Sequence, residues 1–302
     1  WHDHMAFGVA GHFDGTATPG VLPEVAAQVV LLDPDDIDGV AQALEADSDI
    51  AALILEPTGG SGGMIPLAPG FVVQLRELTE QHGVLLIMDE VVTGFRVHPG
   101  GAQGLLDVKP DLTTLAKILA GGLPGGAVVG RADILAHLDF KAAADKDFEK
   151  IHHPGTFNGN PLSAAAGTKT LEIIANSDAC AKADAFGREL RVKLNEGFKR
   201  AGVAWAAYGQ QANFFVFMNG TGLAIDPNDF DPLSVPYQDL KAKPPGLMNK
   251  LRLALLIGGV DINGAGAGVI SATHGADDMD QTVAAFEAAV AMLAAEESLP
   301  SI

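Results

Sequence analysis

Along this chain, short apolar runs stop on acidic residues. Ile50 to Leu55 is continuously apolar and gives way to Glu56-Pro57, and Val84 to Met88 gives way to Asp89-Glu90. Runs of that length without polar alternation predict strands buried on both faces, as in a parallel sheet. Between them, Pro69 to Gly83 sets Phe71, Leu75 and Leu78 at helical spacing, with Gly83 placed as a C-cap. A helical pattern from Pro34 to Ala46 precedes the first run, and Asp111 to Leu115 and Gly126 to Val129 offer two more short strands. The alternation predicts an α/β fold, a mostly parallel sheet flanked by helices.

From Pro161 to Gly202 the sequence is Ala-rich and predicts packing helices, broken at Asn176-Ser177-Asp178, where Ser177 or Asp178 can cap the second. After Gly202 the texture changes. Val203 to Tyr208, Phe214 to Met218 and Val269 to Thr273 predict strands, and Asp239 to Ile257 and Asp277 to Glu296 predict helices. Asp226 to Pro245, rich in Pro and Asp, reads as a long surface loop. The expected organisation is a large domain over 1–202 and a smaller α+β domain over 203–302.

Composition narrows the function. With 302 residues, 48% of them apolar, the chain can bury one large core and a smaller second one. A formal net charge of −19 argues against nucleic acid and anionic lipid as partners. The single cysteine, Cys180, excludes an internal disulfide framework and a cysteine metal cluster, and fits a cytoplasmic location. No apolar run reaches the length of a membrane span, and no signal peptide is recognisable. The first residue is Trp1 rather than Met, so sequence upstream of it is expected.

The residue types that carry chemistry sit at strand ends. Lys117, in Leu115-Ala116-Lys117-Ile118-Leu119, has no acidic neighbour in sequence and precedes a glycine-rich turn, a setting that favours a neutral amine capable of imine chemistry. Asp89, at the C-terminal edge of one expected strand, and Lys117, beyond another, can face the same crevice above the sheet, where open α/β sheets bind ligands. A carboxylate there can keep a pyridine nitrogen protonated. Gly59, Gly60, Gly62 and Gly63 resemble a phosphate cradle, but no Lys-Ser or Lys-Thr follows at the required spacing, so a flexible turn is expected. A nicotinamide site is set aside for want of a Gly-x-Gly-x-x-Gly turn. His2, Asp3, His4 and His12, and separately His152-His153, are candidate metal ligands; lacking supporting ligands, they give no expected metal site. Glu56 and Glu90 read as braces of strand ends and of a dimer interface. Arg96 can pair with Glu90 or approach a substrate carboxylate.

Several segments in order resemble the class-III pyridoxal-phosphate enzymes, in particular the subgroup of glutamate-1-semialdehyde aminomutase and its transaminase relatives. They are Glu56-Pro57 with its glycine-rich turn; Leu86 through Asp89-Glu90-Val91-Val92-Thr93-Gly94-Phe95-Arg96; Gly100-Gly101-Ala102-Gln103; Pro110-Asp111-Leu112-Thr113-Thr114-Leu115-Ala116-Lys117 leading to Gly121-Gly122-Leu123-Pro124-Gly125-Gly126; Gly155-Thr156-Phe157-Asn158-Gly159-Asn160-Pro161; and Ile270-Ser271-Ala272-Thr273-His274. The resemblance implies a PLP-transferase fold type I large domain without its N-terminal part. It implies pyridoxal 5'-phosphate carried covalently by Lys117, with Asp89 on the pyridine nitrogen, Val91 against the ring face, and Thr156 reaching the phosphate of the other subunit in a homodimer. Small amino donors and keto acceptors would be the substrates. The family's ring-stacking aromatic residue and its phosphate-holding Ser/Gly/Thr loop would precede Trp1. Where aminomutases resemble one another in an acidic residue, this chain has Gly266. That departure favours transfer between two molecules over the intramolecular aminomutase reaction, which Thr93-Gly94-Phe95-Arg96 favours. A third reading is a non-catalytic fragment unable to retain cofactor.

Overall fold

The computed structural model describes residues 19–146, 148–244, 246–296 and 299. Its first sheet has the order β1 (Ala52–Leu55), β2 (Leu85–Glu90), β3 (Leu112–Leu115), β4 (Ala127–Gly130). The first two pairings are parallel and the last is antiparallel, so the expected mostly parallel sheet is present. Helix α1 (Ile37–Ala46) starts after Asp36, whose carboxylate accepts the Gly39 amide at 2.9 Å. That cap fixes the start three residues past Pro34. Helix α2 (Phe71–His82) ends at Gly83, whose φ of 69° supplies the left-handed cap. One face of α2, with Phe71 and Leu75, packs on Val40, Leu44 and Val84, while Val72 meets Leu86, Met88 and Val108. Leu86 and Met88 are fully buried; each such side chain contributes about 1.5–3 kcal/mol through burial.

Period-two alternation then sorts the acidic end of β2. Met88 and Glu90 lie on its buried face, and Asp89, half-buried, lies on the opposite one. At the other end of the strands, Asp111 accepts the Leu86 amide (2.8 Å) and forms ion pairs with Arg76 and Arg131, both at 2.8 Å. Its own burial opposes ionisation, but the Arg131 hydrogen bond, the Leu86 amide and Arg76 together hold its carboxyl down at about 2. Because the folded value lies below the ordinary one, the stabilisation is present above about pH 4 and is lost as pH falls toward about 2. Allowing for the half-exposed Arg131, we expect Asp111→Asn to cost about 1–3 kcal/mol at pH 7. In urea melts the gap between the two proteins should close between about pH 4 and 2; a gap independent of pH would show that the carboxylate's charge is not the cause.

The second sheet is antiparallel, β5 (Ala206–Tyr208), β6 (Asn213–Phe217), β7 (Ala267–Val269), with β6 central. All of β6 is buried. Phe214 and Val216 face a core shared with α5 (Ala179–Ala201), α6 (Leu247–Ile257) and α7 (Ala276–Ala295); Phe215 and Phe217 face a second cluster with Met64, Tyr208 and Leu240. The expected break before α5 is present, after α4 (Pro161–Ala175), and Ser177 Oγ accepts the Ala179 amide.

Three elements differ from those expected of the sequence. The single helix expected over Asp239 to Ile257 is two, Tyr237–Lys241 and α6, because a chain containing Pro244-Pro245 cannot sustain helical hydrogen bonds there. Asp226 to Pro245 is not a bare surface loop: Val235 and Leu240 are buried in the second cluster, and Pro227–Asp229 and Pro232–Ser234 form 3-10 turns. The strand expected over Val269 to Thr273 ends at Val269, since residues beyond it form a turn in which Ser271 donates its amide to His274 Nδ1. Among the described residues no helix is long and apolar enough to cross a membrane.

Candidate active site

The parallel register sets Asp89 beside Thr114 and Glu90 beside Leu115 at the C-terminal ends of β2 and β3. Asp89 Oδ1 accepts the Thr114 hydroxyl (3.1 Å) and the Val91 amide (3.0 Å). Its Oδ2 makes no hydrogen bond among the described residues. Two residues past β3, Lys117 opens a 3-10 turn, Lys117–Ala120, with φ of 49°. A left-handed conformation costs a non-glycine residue about 1–2 kcal/mol, so the surroundings must hold it. Helix α4 does this by close approach: a Cβ on Gly167 would lie 2.4 Å from the Leu119 carbonyl, and one on Gly121 2.6 Å from the Ala166 carbonyl. Ser163 Oγ adds a 2.7 Å hydrogen bond to the Pro124 carbonyl. Lys117 is exposed and forms no salt bridge among the described residues.

Glu56, just past β1, completes the group. Its Oε1 and Oε2 accept the amides of Ser61 and Gly62, each at 2.7 Å. Burial pushes its carboxyl above the usual range; the two amides pull the other way, the Asp89 charge raises it further, and the Lys117 charge lowers it. Leu55 pairs with Met88 in the parallel register, so Glu56 follows at the strand ends beside Asp89. The sequence pattern predicts a bracing role for Glu56 and no acidic neighbour for Lys117; the register sets Glu56 at the same edge of the sheet as both. The glycine turn is also not free. Besides Glu56, Asn213 Nδ2 holds the Gly62 carbonyl (3.0 Å) and Tyr208 Oη the Met64 carbonyl (2.7 Å), which replaces the flexible turn with a tethered one.

Glu90 braces, as expected for a strand end, though by capping: it accepts the amides of Ala102 and Gln103 at the start of α3 (Gly101–Leu106), and the Thr93 hydroxyl. Those bonds occupy it, and Arg96 does not pair with it; Arg96 Nε instead donates to the Val92 carbonyl (3.0 Å), and burial lowers its guanidinium's proton affinity. Thr156 lies in an exposed turn and Phe157 beside it is 82% exposed. No hydrogen bond among the described residues links Thr156 to Asp89 or Lys117. His152 and His153 are exposed, and no group of three potential metal ligands occurs among the described residues. His2, Asp3, His4 and His12 lie outside them.

The donor set is one amine able to form an imine and one carboxylate with an uncommitted oxygen, at the end of a parallel sheet. That chemistry suits a pyridoxal group, with the amine for its aldehyde and the carboxylate for its ring nitrogen. Comparison with known proteins agrees: the family model "Aminotransferase class-III" matches residues 25–204. The chain belongs to the class-III aminotransferase family. It is 34% identical over 282 residues to a glutamate-1-semialdehyde 2,1-aminomutase of Bordetella avium, covering 92% of this chain and 62% of that protein. It is 42% identical over 187 residues to glutamate-1-semialdehyde 2,1-aminomutase 2 of Brevibacillus brevis, covering 62% of this chain and 42% of that relative. The chain thus spans at most about three-fifths of these relatives' length. Among solved structures it is similar to an omega-transaminase from Sphaerobacter thermophilus, with TM-score 0.77, 30% identity, and coverage of 91% of this chain and 59% of the other. A β-phenylalanine aminotransferase from Variovorax paradoxus gives TM-score 0.75, 28% identity, and coverage of 93% and 61%. The fold is that of these aminotransferases.

Proposed function

We propose that the protein moves an amino group from an amino acid or amine donor to a keto or aldehyde acceptor, using pyridoxal 5'-phosphate held by Lys117. The observation that carries this reading is the grouping of Asp89, Lys117 and Glu56 at the C-terminal ends of three adjacent parallel strands. When bound, the cofactor supplies an electron-accepting ring next to the carbon that loses its proton. Asp89 would face the ring nitrogen with its free Oδ2, since Val91 and Thr114 occupy Oδ1. Val91 would help exclude water from the site. Lys117 would hold the cofactor's aldehyde and, as a free amine, move a proton to or from the substrate Cα. Thr156 would help hold the phosphate in a second copy, which would make a homodimer the competent unit.

The second reading, glutamate-1-semialdehyde aminomutase, draws on the identity to the Bordetella protein. Gly266 favours the first. It has a φ of 75°, its carbonyl accepts the Val216 amide at 2.9 Å, and a Cβ there would lie 2.5 Å from the Met248 methyl. The methyl can swing aside, so the backbone carries most of the cost of a side chain. We expect Gly266→Glu to destabilise by about 1–3 kcal/mol and to confer no aminomutase activity; a thermally neutral variant that gained it would reverse the preference. The reading as a whole is tested by incubating the protein with pyridoxal phosphate, reducing with borohydride and mapping peptides. Label on the Lys117 peptide supports it, and label spread over surface lysines contradicts it.

A further inference from the structure

The glycine turn joins the two sheets. From the first sheet, Glu56 holds the amides of Ser61 and Gly62; from the second, Asn213 and Tyr208 hold the carbonyls of Gly62 and Met64. Met64 is 4% exposed and packs in the cluster with Tyr208, Phe215 and Phe217. Val92, one residue past Val91, closes the remaining side, with its Cγ1 3.1 Å from where a Gly62 Cβ would sit. Both oxygens of Glu56 are therefore committed to a segment that the second sheet also grips.

We propose that Glu56 is a positioning residue that ties the Asp89–Lys117 pair to the second sheet through the Ser61–Gly62 turn, so that the placement of its charge beside the pair follows the packing of that sheet. This rests on the proposed function. Leu55 pairs with Met88 and Asp89 with Thr114, so Glu56, one residue past β1, stands at the same sheet edge as Asp89 and Lys117; their charges act on its carboxyl, Asp89 raising and Lys117 lowering its proton affinity. A carboxylate that anchors on two amides has little freedom to follow either of them, so the turn decides where its charge stands. Loosening the turn from either side should therefore disturb the pair, even when the loosened contact is far from it in sequence.

The test compares the native protein with Glu56→Gln and Tyr208→Phe. The first replaces an acceptor at one of the two amides by an amide nitrogen; the second removes one hydroxyl and keeps the ring, so it should fold even if the first does not. Deuterium uptake over Gly59–Met64, measured without cofactor, is expected to rise about fivefold or more in Glu56→Gln and less in Tyr208→Phe. The pyridoxal phosphate concentration needed for half-maximal borohydride fixation on Lys117 should rise in the same order, by about tenfold in Glu56→Gln. Unchanged uptake in a folded Glu56→Gln would overturn the proposal, as would raised uptake in both variants with fixation unmoved, the result of a purely structural turn. If the native protein fixes no cofactor on Lys117, the proposed function fails instead, and the uptake comparison alone then decides whether Glu56 holds the turn.

Discussion

Lys117→Ala is expected to lower amino transfer by about a thousandfold or more while leaving the thermal transition nearly unchanged. Lys117 is exposed and makes no salt bridge among the described residues, so truncating it removes no packing. It relieves no backbone strain, because alanine at φ of 49° meets the same restriction. The loss is chemical. The variant lacks the amine that anchors the cofactor and the base that carries the proton at Cα, and these act as a unit, so their effects do not add. Borohydride should fix no label on the 117 peptide. Added methylamine, as a free amine, should restore part of the proton transfer but none of the fixation at this position. A variant that retained more than about a tenth of the native rate would show that another group moves the proton.

Asp89→Asn should cost about a hundred- to a thousandfold in rate, with a smaller change in cofactor retention. The substitution keeps the shape, and an amide oxygen can still accept the Thr114 hydroxyl and the Val91 amide that now bond Oδ1. What disappears is the negative charge that keeps a ring nitrogen protonated. The expected signature is therefore a fall in the rate of Cα–H exchange, measured by deuterium wash-in to the donor, larger than any change in the concentration of pyridoxal phosphate needed for fixation. An equal fall in both would make Asp89 a binding residue only.

Much of this was legible in the sequence. Phe71, Leu75 and Leu78 announced α2, Gly83 its end, and the two apolar runs their parallel strands, because helical spacing and strand burial are local properties of the chain. Asp89 and Lys117 stood out for the same reason: strand ends can be located from where the apolar runs stop. What escaped were contacts set by the register between strands and by turns folding back. That Thr114 would serve Asp89 follows only once β2 and β3 are aligned residue by residue. That Glu56 would accept the amides of Ser61 and Gly62 depends on the left-handed backbone of those two residues, which a run of glycines permits without prescribing. In the second sheet the errors came from short elements. Strands of three residues carry too little pattern to separate from turns, and the paired prolines at 244 and 245 outweighed a helical spacing that otherwise ran through them.

The placement of Asp111 has a consequence for anyone wishing to alter this protein. Asp111 clamps the entry of β3 to the first residues of β2, whereas Asp89 lies at the exit of β2 and Lys117 just past that of β3. Robustness and reactivity thus occupy opposite ends of one scaffold, a few residues apart in sequence but separated by the length of a strand. A library aimed at new substrates can draw on extra ion pairs around Arg76 and Arg131 as ballast, without spending any position that the chemistry needs.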